Sequence, residues 1–200
     1  MDVIMERLII FIDGSYLFKS FKSIRECYLK DMKGEYRHNP VQLADIFSQG
    51  YSLQEKHYYG SINSFNAGIA AKQARFHTYL HIRGFHMTIM DLKIIGGEHK
   101  EKGVDGSINV DMNELAHDNK YDVGILVAAD GDFTEPGVKR VQEKYHKKII
   151  NASFKNRTAY GLKNACDGHI SLDALAFIHT QDDPKAFFSL NSLYGRLKLS

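Results

Sequence analysis

The sequence predicts an α/β protein built on a central, mostly parallel sheet. Three observations carry that prediction. Apolar runs alternate with amphipathic segments along the whole chain, the pattern of strands linked by crossover helices. "RLIIFI" (7–12) and "DVGILVAA" (122–129) are apolar at consecutive positions, as strands covered on both faces are. Both runs end on aspartate followed by glycine, at Asp13-Gly14 and Asp130-Gly131. In an open parallel sheet, ligands bind beyond the carboxyl ends of the strands.

In chain order, residues 7–12 read as the first, central strand. Residues 16–31 and 40–48 read as helices, the second with Asn39 as cap and Pro40 at its first position. "KHYYGSI" (56–62) is the second strand, and residues 65–83 are an amphipathic helix closed by Gly84. "FHMTIMDL" (85–92) is the third strand, followed by a loop with Gly96-Gly97. "KGVDGSINVDMNELAHD" (102–118) is a loop feeding a helix, and 122–129 is the fourth and most hydrophobic strand. Residues 135–146 are a helix, "KKIINASF" (147–154) a fifth strand and 158–166 a short helix. "HISLDAL" (169–175) is an edge strand running into a turn. The organisation expected is one domain over 1–180 with a helical insertion at about 22–56, then a tail over 181–200 holding a short helix.

Composition narrows the class. Two hundred residues fit one domain, and 44% hydrophobic content supplies its core. Charged residues are spread along the chain, which excludes wholesale disorder. A formal charge of +2 permits an anionic partner without demanding one, so the placement of charge matters more than its total. Cys27 and Cys166 lie far apart without CxxC spacing, which fits a reduced, cytoplasmic protein better than a disulfide scaffold. No apolar run approaches the ~20 residues of a membrane helix, and the one near the start is too short for a signal peptide. No membrane partner is expected, and a homodimer is allowed.

The chemistry lies in the acids. Asp13 ends one central strand, Asp130 and Asp132 end another, and Asp105 stands at the N-terminus of a helix between them. Any one of these fits a cap or turn. Together they place four carboxylates at one sheet edge, where like charges repel unless protons or a cation neutralise them. Mg²⁺ or Mn²⁺ takes carboxylate oxygens and suits phosphate chemistry. Asp111 follows Asp105 by about 600° of helix rotation, so it faces elsewhere and reads either as a secondary candidate or as a solvated helix acid.

These blocks resemble a known family. "FIDGSYLF", "EKGVDGSINVDM" and "ILVAADGDF", with "HYYGSI" and "ACDGHISL" in support, are similar to the signature segments of the NYN domain, the LabA-like branch of the PIN-like nucleases. The resemblance spans roughly residues 7–175. It implies a Rossmann-like, three-layer α/β/α sandwich with five to six strands, and a metal-dependent ribonuclease. It also implies that Asp13, Asp105, Asp130 and Asp132 are catalytic and hold Mg²⁺ or Mn²⁺, with Ser15 and Tyr16 beside them. The chain departs from the family pattern at Tyr16, where an Asn is usual, at Ala128-Ala129, where a hydroxyl residue and Gly are usual, and in a late Pro136.

On the substrate side, Lys102, Ser61, Lys155 and Arg157 follow strand ends or flank Asp105 and could hold RNA phosphates. The helical basic runs, Lys19 among them, read as solvated faces. Tyr58, Tyr59 and Phe65 offer stacking for bases, although buried strand aromatics are the plainer reading for at least one of the tyrosines. His77, His81 and His86 lack an HExxH or cysteine partner and read as surface. A phosphatase Asp-x-Asp, a complete Asp-x-Ser-x-Ser and a GxxxxGK[ST] loop are all absent. The function expected is a metal-dependent nuclease acting on RNA. The alternative is a catalytically weak NYN-like module that binds RNA or protein.

Overall fold

The computed structural model describes residues 4–28, 38–154 and 157–173. Strand β1 (Arg7–Asp13) is buried from Leu8 onward on both faces, so it must lie inside a sheet covered on both sides. The other main strands are β2 (Ser52–Ile62), β3 (Phe85–Asp91), β6 (Val123–Val127), β7 (Lys148–Ser153) and β8 (Gly168–Ser171). Together with β1 they form a six-stranded sheet in the order β3-β2-β1-β6-β7-β8. Every pairing in it is parallel.

Helices cover both faces, which makes a three-layer α/β/α sandwich. Leu8, Ile10 and Ile12 of β1 share one core with Leu17 and Phe21 of α1 (Gly14–Tyr28), Leu43 and Phe47 of α2 (Pro40–Phe47), and Leu80 of α3 (Ala67–Ile82). The alternate residues Ile9 and Phe11 share the other core with Ile108 and Met112 of α4 (Val104–His117), Val141 of α5 (Arg140–Tyr145) and Leu162 of α6 (Tyr160–Ala165). The period-two alternation of one strand thus feeds two cores. Each such side chain contributes about 1.5–3 kcal/mol by its burial. Local signals fix the helix ends. Asn39 Oδ1 accepts from the Gln42 amide with Pro40 next in line, Asn66 Oδ1 accepts from the Ile69 amide, and Gly84 reverses the chain after α3.

Four elements differ from expectation. Strand β2 begins at Ser52 rather than 56, because its polar first half pairs with β1 while staying half-exposed at the sheet end. The segment around Gly96-Gly97 is a hairpin of β4 (Lys93–Ile95) and β5 (Glu98–Lys100), not a plain loop. Both glycines take positive φ, as a tight hairpin turn requires. The helix over 135–146 starts as a π-turn, Thr134–Lys139, before α5; Pro136 has no N–H to continue a regular ladder. Strand β6 stops at Val127, so Ala128 and Ala129 lead away from the ladder. The expected tail helix and the last residues of the helix over 16–31 lie outside the described residues. Among the described residues, no helix is long and apolar enough to cross a membrane.

Candidate active site

β1 and β6 are adjacent and in register, with Ile12 opposite Val127. Their chains therefore leave the same edge of the sheet side by side. After Asp13 the backbone turns at Gly14 straight into α1. A Cβ at Gly14 would lie 2.2 Å from the Tyr58 ring and hydroxyl, so only glycine permits this approach. Asp13 Oδ1 accepts a hydrogen bond from the Tyr16 amide at 2.9 Å. The carboxylate thus caps the positive end of the helix that follows it.

The exit from β6 is held by a buried polar network. Asn151 Nδ2 donates to the Leu126 and Ala128 carbonyls at 3.2 and 2.9 Å. The Ala159 amide donates to the Ala129 carbonyl at 2.8 Å. Ser153 Oγ donates to Asn151 Oδ1, and Thr158 Oγ1 donates to Ser153 Oγ. Beyond this clamp Asp130 Oδ1 accepts from the Asp132 amide at 3.1 Å and opens a single 3₁₀ turn, Gly131–Phe133, anchored by fully buried Phe133. Across the gap, Gly103 with φ +95° swings the chain into α4 and puts Asp105 in its first turn.

These elements enclose a cavity of about 550 Å³ lined by Asp13, Glu101, Asp105 and Asp130, with Ser15, Tyr16, Lys19 and Arg157. Four carboxylates thus face two cations. Burial pushes the Asp13 carboxyl up to about 6; the Tyr16 amide opposes the rise, and Asp105 and Glu101 add to it. Asp105 is also raised, by its burial first and then by Asp130, Asp132 and Glu101, while Lys19 pulls it down. Glu101 Oε1 is buried with no hydrogen-bond partner. Carboxylates that share one cavity, one of them with an orphaned oxygen, offer hard oxygen donors of the kind a divalent cation takes. A groove near Asn113 and Arg140 is slightly larger, about 620 Å³. Convergent carboxylates, not size, single out the acid cavity.

The family model of the NYN domain matches residues 7–173. The chain belongs to the NYN domain family. The NYN domain brings with it a nuclease-like fold. Among solved structures, one similar to it is a protein of unknown function from Vibrio parahaemolyticus, with 25% identity and a TM-score of 0.64, covering 86% of this chain and 95% of that one. A Listeria monocytogenes protein bearing the name of a UDP-N-acetylglucosamine 2-epimerase aligns at 12% identity and a TM-score of 0.40, over 84% of this chain and 39% of that one. No curated protein matches.

Within this NYN domain the expected site residues fall into groups. Asp13, Asp105, Asp130, Ser15, Tyr16 and Arg157 line the cavity. Asp132 stands exposed at its rim, near enough to raise Asp105. Asp111 faces elsewhere and accepts the Tyr59 hydroxyl at 2.7 Å. Ser61 and Lys102 are outside the lining; the Ser61 carbonyl accepts from Gln73 Nε2, and Lys102 is exposed. Lys155 lies outside the described residues. Tyr58 and Tyr59 are both buried, while Phe65 is half-exposed. The Tyr16 hydroxyl accepts from the Phe154 amide at 2.8 Å, and burial holds it up at about 12. The Tyr16 side chain thus forms a strut between α1 and the end of β7.

Two lining residues escaped the sequence reading. Glu101 follows the hairpin rather than a strand of the main sheet, so no strand-end rule pointed to it. Lys19 reads in the sequence as a solvated helix charge, yet it follows Ser15 by one helical turn, and that spacing places both on one face.

Proposed function

We propose that this NYN domain is a divalent-metal-dependent ribonuclease that hydrolyses RNA phosphodiester bonds. One observation carries the reading: Asp13, Asp105, Asp130 and Glu101 converge on a single cavity at the carboxyl edge of the sheet, with Asp13 driven up to about 6. Asp13, Asp105 and Asp130 would hold Mg²⁺ or Mn²⁺, with Asp132 at the rim and Glu101 behind. When bound, such an ion would polarise the phosphoryl group and lower the pKa of an attacking water. The chain's own contribution is position and charge. The Tyr16 amide fixes Asp13, and the clamp of Asn151 and Ala159 fixes the backbone that presents Asp130. Lys19 and Arg157, both lining the cavity, would take the phosphate oxygens and orient the scissile bond. A cytoplasmic setting goes with this reading.

The test is cleavage of labelled single-stranded and structured RNA by purified protein with Mn²⁺ or Mg²⁺. Cleavage should depend on the ion. It should fall at least about a hundredfold, the scale of losing a key electrostatic group, in Asp13→Asn and in Asp130→Asn, with circular dichroism unchanged. Tight RNA binding with no turnover under any metal would overturn the ribonuclease and favour a binding module.

A further inference from the structure

A second cluster of metal-ligating atoms lies on the sheet away from the acid cavity and shares no residue with it. In β2, Glu55 and His57 are two residues apart and so project from the same face. In β3, His86 is the register partner of His57. Glu55 Oε2 lies 2.8 Å from His57 Nε2 and 3.8 Å from His86 Nε2. The ligand atoms of the three residues all lie within 4.8 Å of one another.

We propose that Glu55, His57 and His86 form a site for a borderline transition-metal dication of the zinc type, bridging the edge strand β3 to β2. Zinc binds imidazole nitrogen and carboxylate oxygen at about 2.0–2.1 Å, so neighbouring tetrahedral ligand atoms stand about 3.3 Å apart. The separations from the glutamate oxygen fall on either side of that spacing. Imidazole ligands select zinc, copper, nickel or cobalt over magnesium, so this site differs in kind from the all-oxygen cavity.

The surroundings match a ligand set rather than a simple pair. The His57 ring is stacked between Phe11 at 5.6 Å and His86 at 4.8 Å, with interplanar angles of 26° and 18°. The stacking fixes the ring plane before any ion arrives, which is the task of the shell around a metal ligand. His57 is buried, so its ring has few alternatives to the Glu55 contact. His86 remains 62% exposed at the side chain, which leaves a path for the ion and room for a water as fourth ligand. Asp111, the partner of the Tyr59 hydroxyl, adds negative charge near His57.

Zinc alone is the probe. Metal-stripped protein, in an Asp13→Asn and Asp130→Asn background that disables the acid cavity, should bind one equivalent of Zn²⁺ by calorimetry. Its thermal midpoint should rise with Zn²⁺ concentration, because the ion binds the folded chain. His86→Ala, an exposed change that spares the core, should weaken binding at least about tenfold, and Glu55→Gln should weaken it in the same direction. Co²⁺ in place of Zn²⁺ should give the intense visible bands of a tetrahedral nitrogen-containing site. Equal Zn²⁺ affinity with and without His86 overturns the proposal. So does the absence of both binding and a tetrahedral Co²⁺ spectrum, which would leave Glu55 and His57 as a hydrogen-bonded pair only.

Discussion

The two ends of the β1–β6 pair treat aspartate in opposite ways. At the amino ends, Asp122 sits just before β6 and takes three hydrogen bonds from Arg7, at 3.0 Å from the backbone N, 3.0 Å from Nε and 2.7 Å from Nη2. Lys147 stands 3.6 Å away. The Arg7 guanidinium holds the Asp122 carboxyl far below the usual range. At the carboxyl ends, Asp13 closes β1 and is held at about 6, accepting from the Tyr16 and Ser15 amides with Asp105 and Glu101 nearby. One end satisfies its charge within the chain and ties two strands together. The other sets acids beside acids, with Lys19 and Arg157 as the cations of the lining, and on the proposed reading that surplus negative charge is what would hold a cation. An acid at a strand terminus is therefore neither structural nor functional by position; its partners decide.

The sharpest way to break this contrast is to neutralise one acid at each end. Asp105→Asn should lower Mn²⁺-dependent RNA cleavage at least about a hundredfold, whereas Asp122→Asn should leave the cleavage rate within about twofold, both read by gel assay at saturating metal. If both variants lose activity equally, the division between the ends is wrong.

Stability without metal should reverse the ranking. The folded-state pKa of Asp13 lies above its value of 3.8 in the unfolded chain. Folded protein therefore holds that proton more tightly, and stability falls as pH rises from about 4 to about 6, then levels off. Asp13→Asn removes the buried charge and keeps an oxygen for the Tyr16 amide. In chelator it should be more stable than wild type by about 2–3 kcal/mol above pH 6, with the gap closing below pH 4. Urea unfolding at a series of pH values checks this, and a wild type that is equally stable or more so at pH 7 contradicts it.

Smaller effects sharpen the picture. Gly14→Ala drives a methyl into the Tyr58 ring and should cost about 1–3 kcal/mol by urea unfolding. It should also move Asp13 and weaken Mn²⁺ binding in parallel. Smallest of all, Asp122→Asn should lower the thermal midpoint slightly at low salt and hardly at all at high salt, since partly exposed pairs are screened. A large, salt-independent loss would show that the Arg7–Asp122 contact anchors the strands more deeply than its exposure implies.

Most of the fold was legible because burial leaves strong marks. The unbroken "LIIFI" and "GILV" runs read as central strands, and Asn39-Pro40 and Gly84 are chemically specific helix ends; the Asn66 cap emerges only with the structure. The candidate site was legible wherever an acid adjoined such a run, as Asp13 and Asp130 do. It was illegible where the chain reaches the cavity by a detour. Glu101 arrives through the β4–β5 hairpin, whose short strands are mostly exposed and carry little hydrophobic pattern. The Glu55–His57–His86 cluster escaped for another reason: strand register, which aligns His57 with His86, is a tertiary fact. Without it, the histidines at 77, 81 and 86 look like one loose set. They divide instead into half-buried His77, exposed His81 and a strand residue that faces His57.

The strand order carries a consequence for how the chain is made. β1 lies at the centre of the sheet, yet its neighbour β6 follows it by more than a hundred residues, the Arg7–Asp122 separation being 115. A ribosome adding about 5–20 residues per second takes on the order of ten seconds to cover that distance. Until then one long edge of a strand apolar on both faces has only β2 beside it and an open hydrogen-bonding ladder on its other side. Parallel pairing across so long a loop is slow to form, so the nascent domain passes through a window in which its future core is its most aggregation-prone segment.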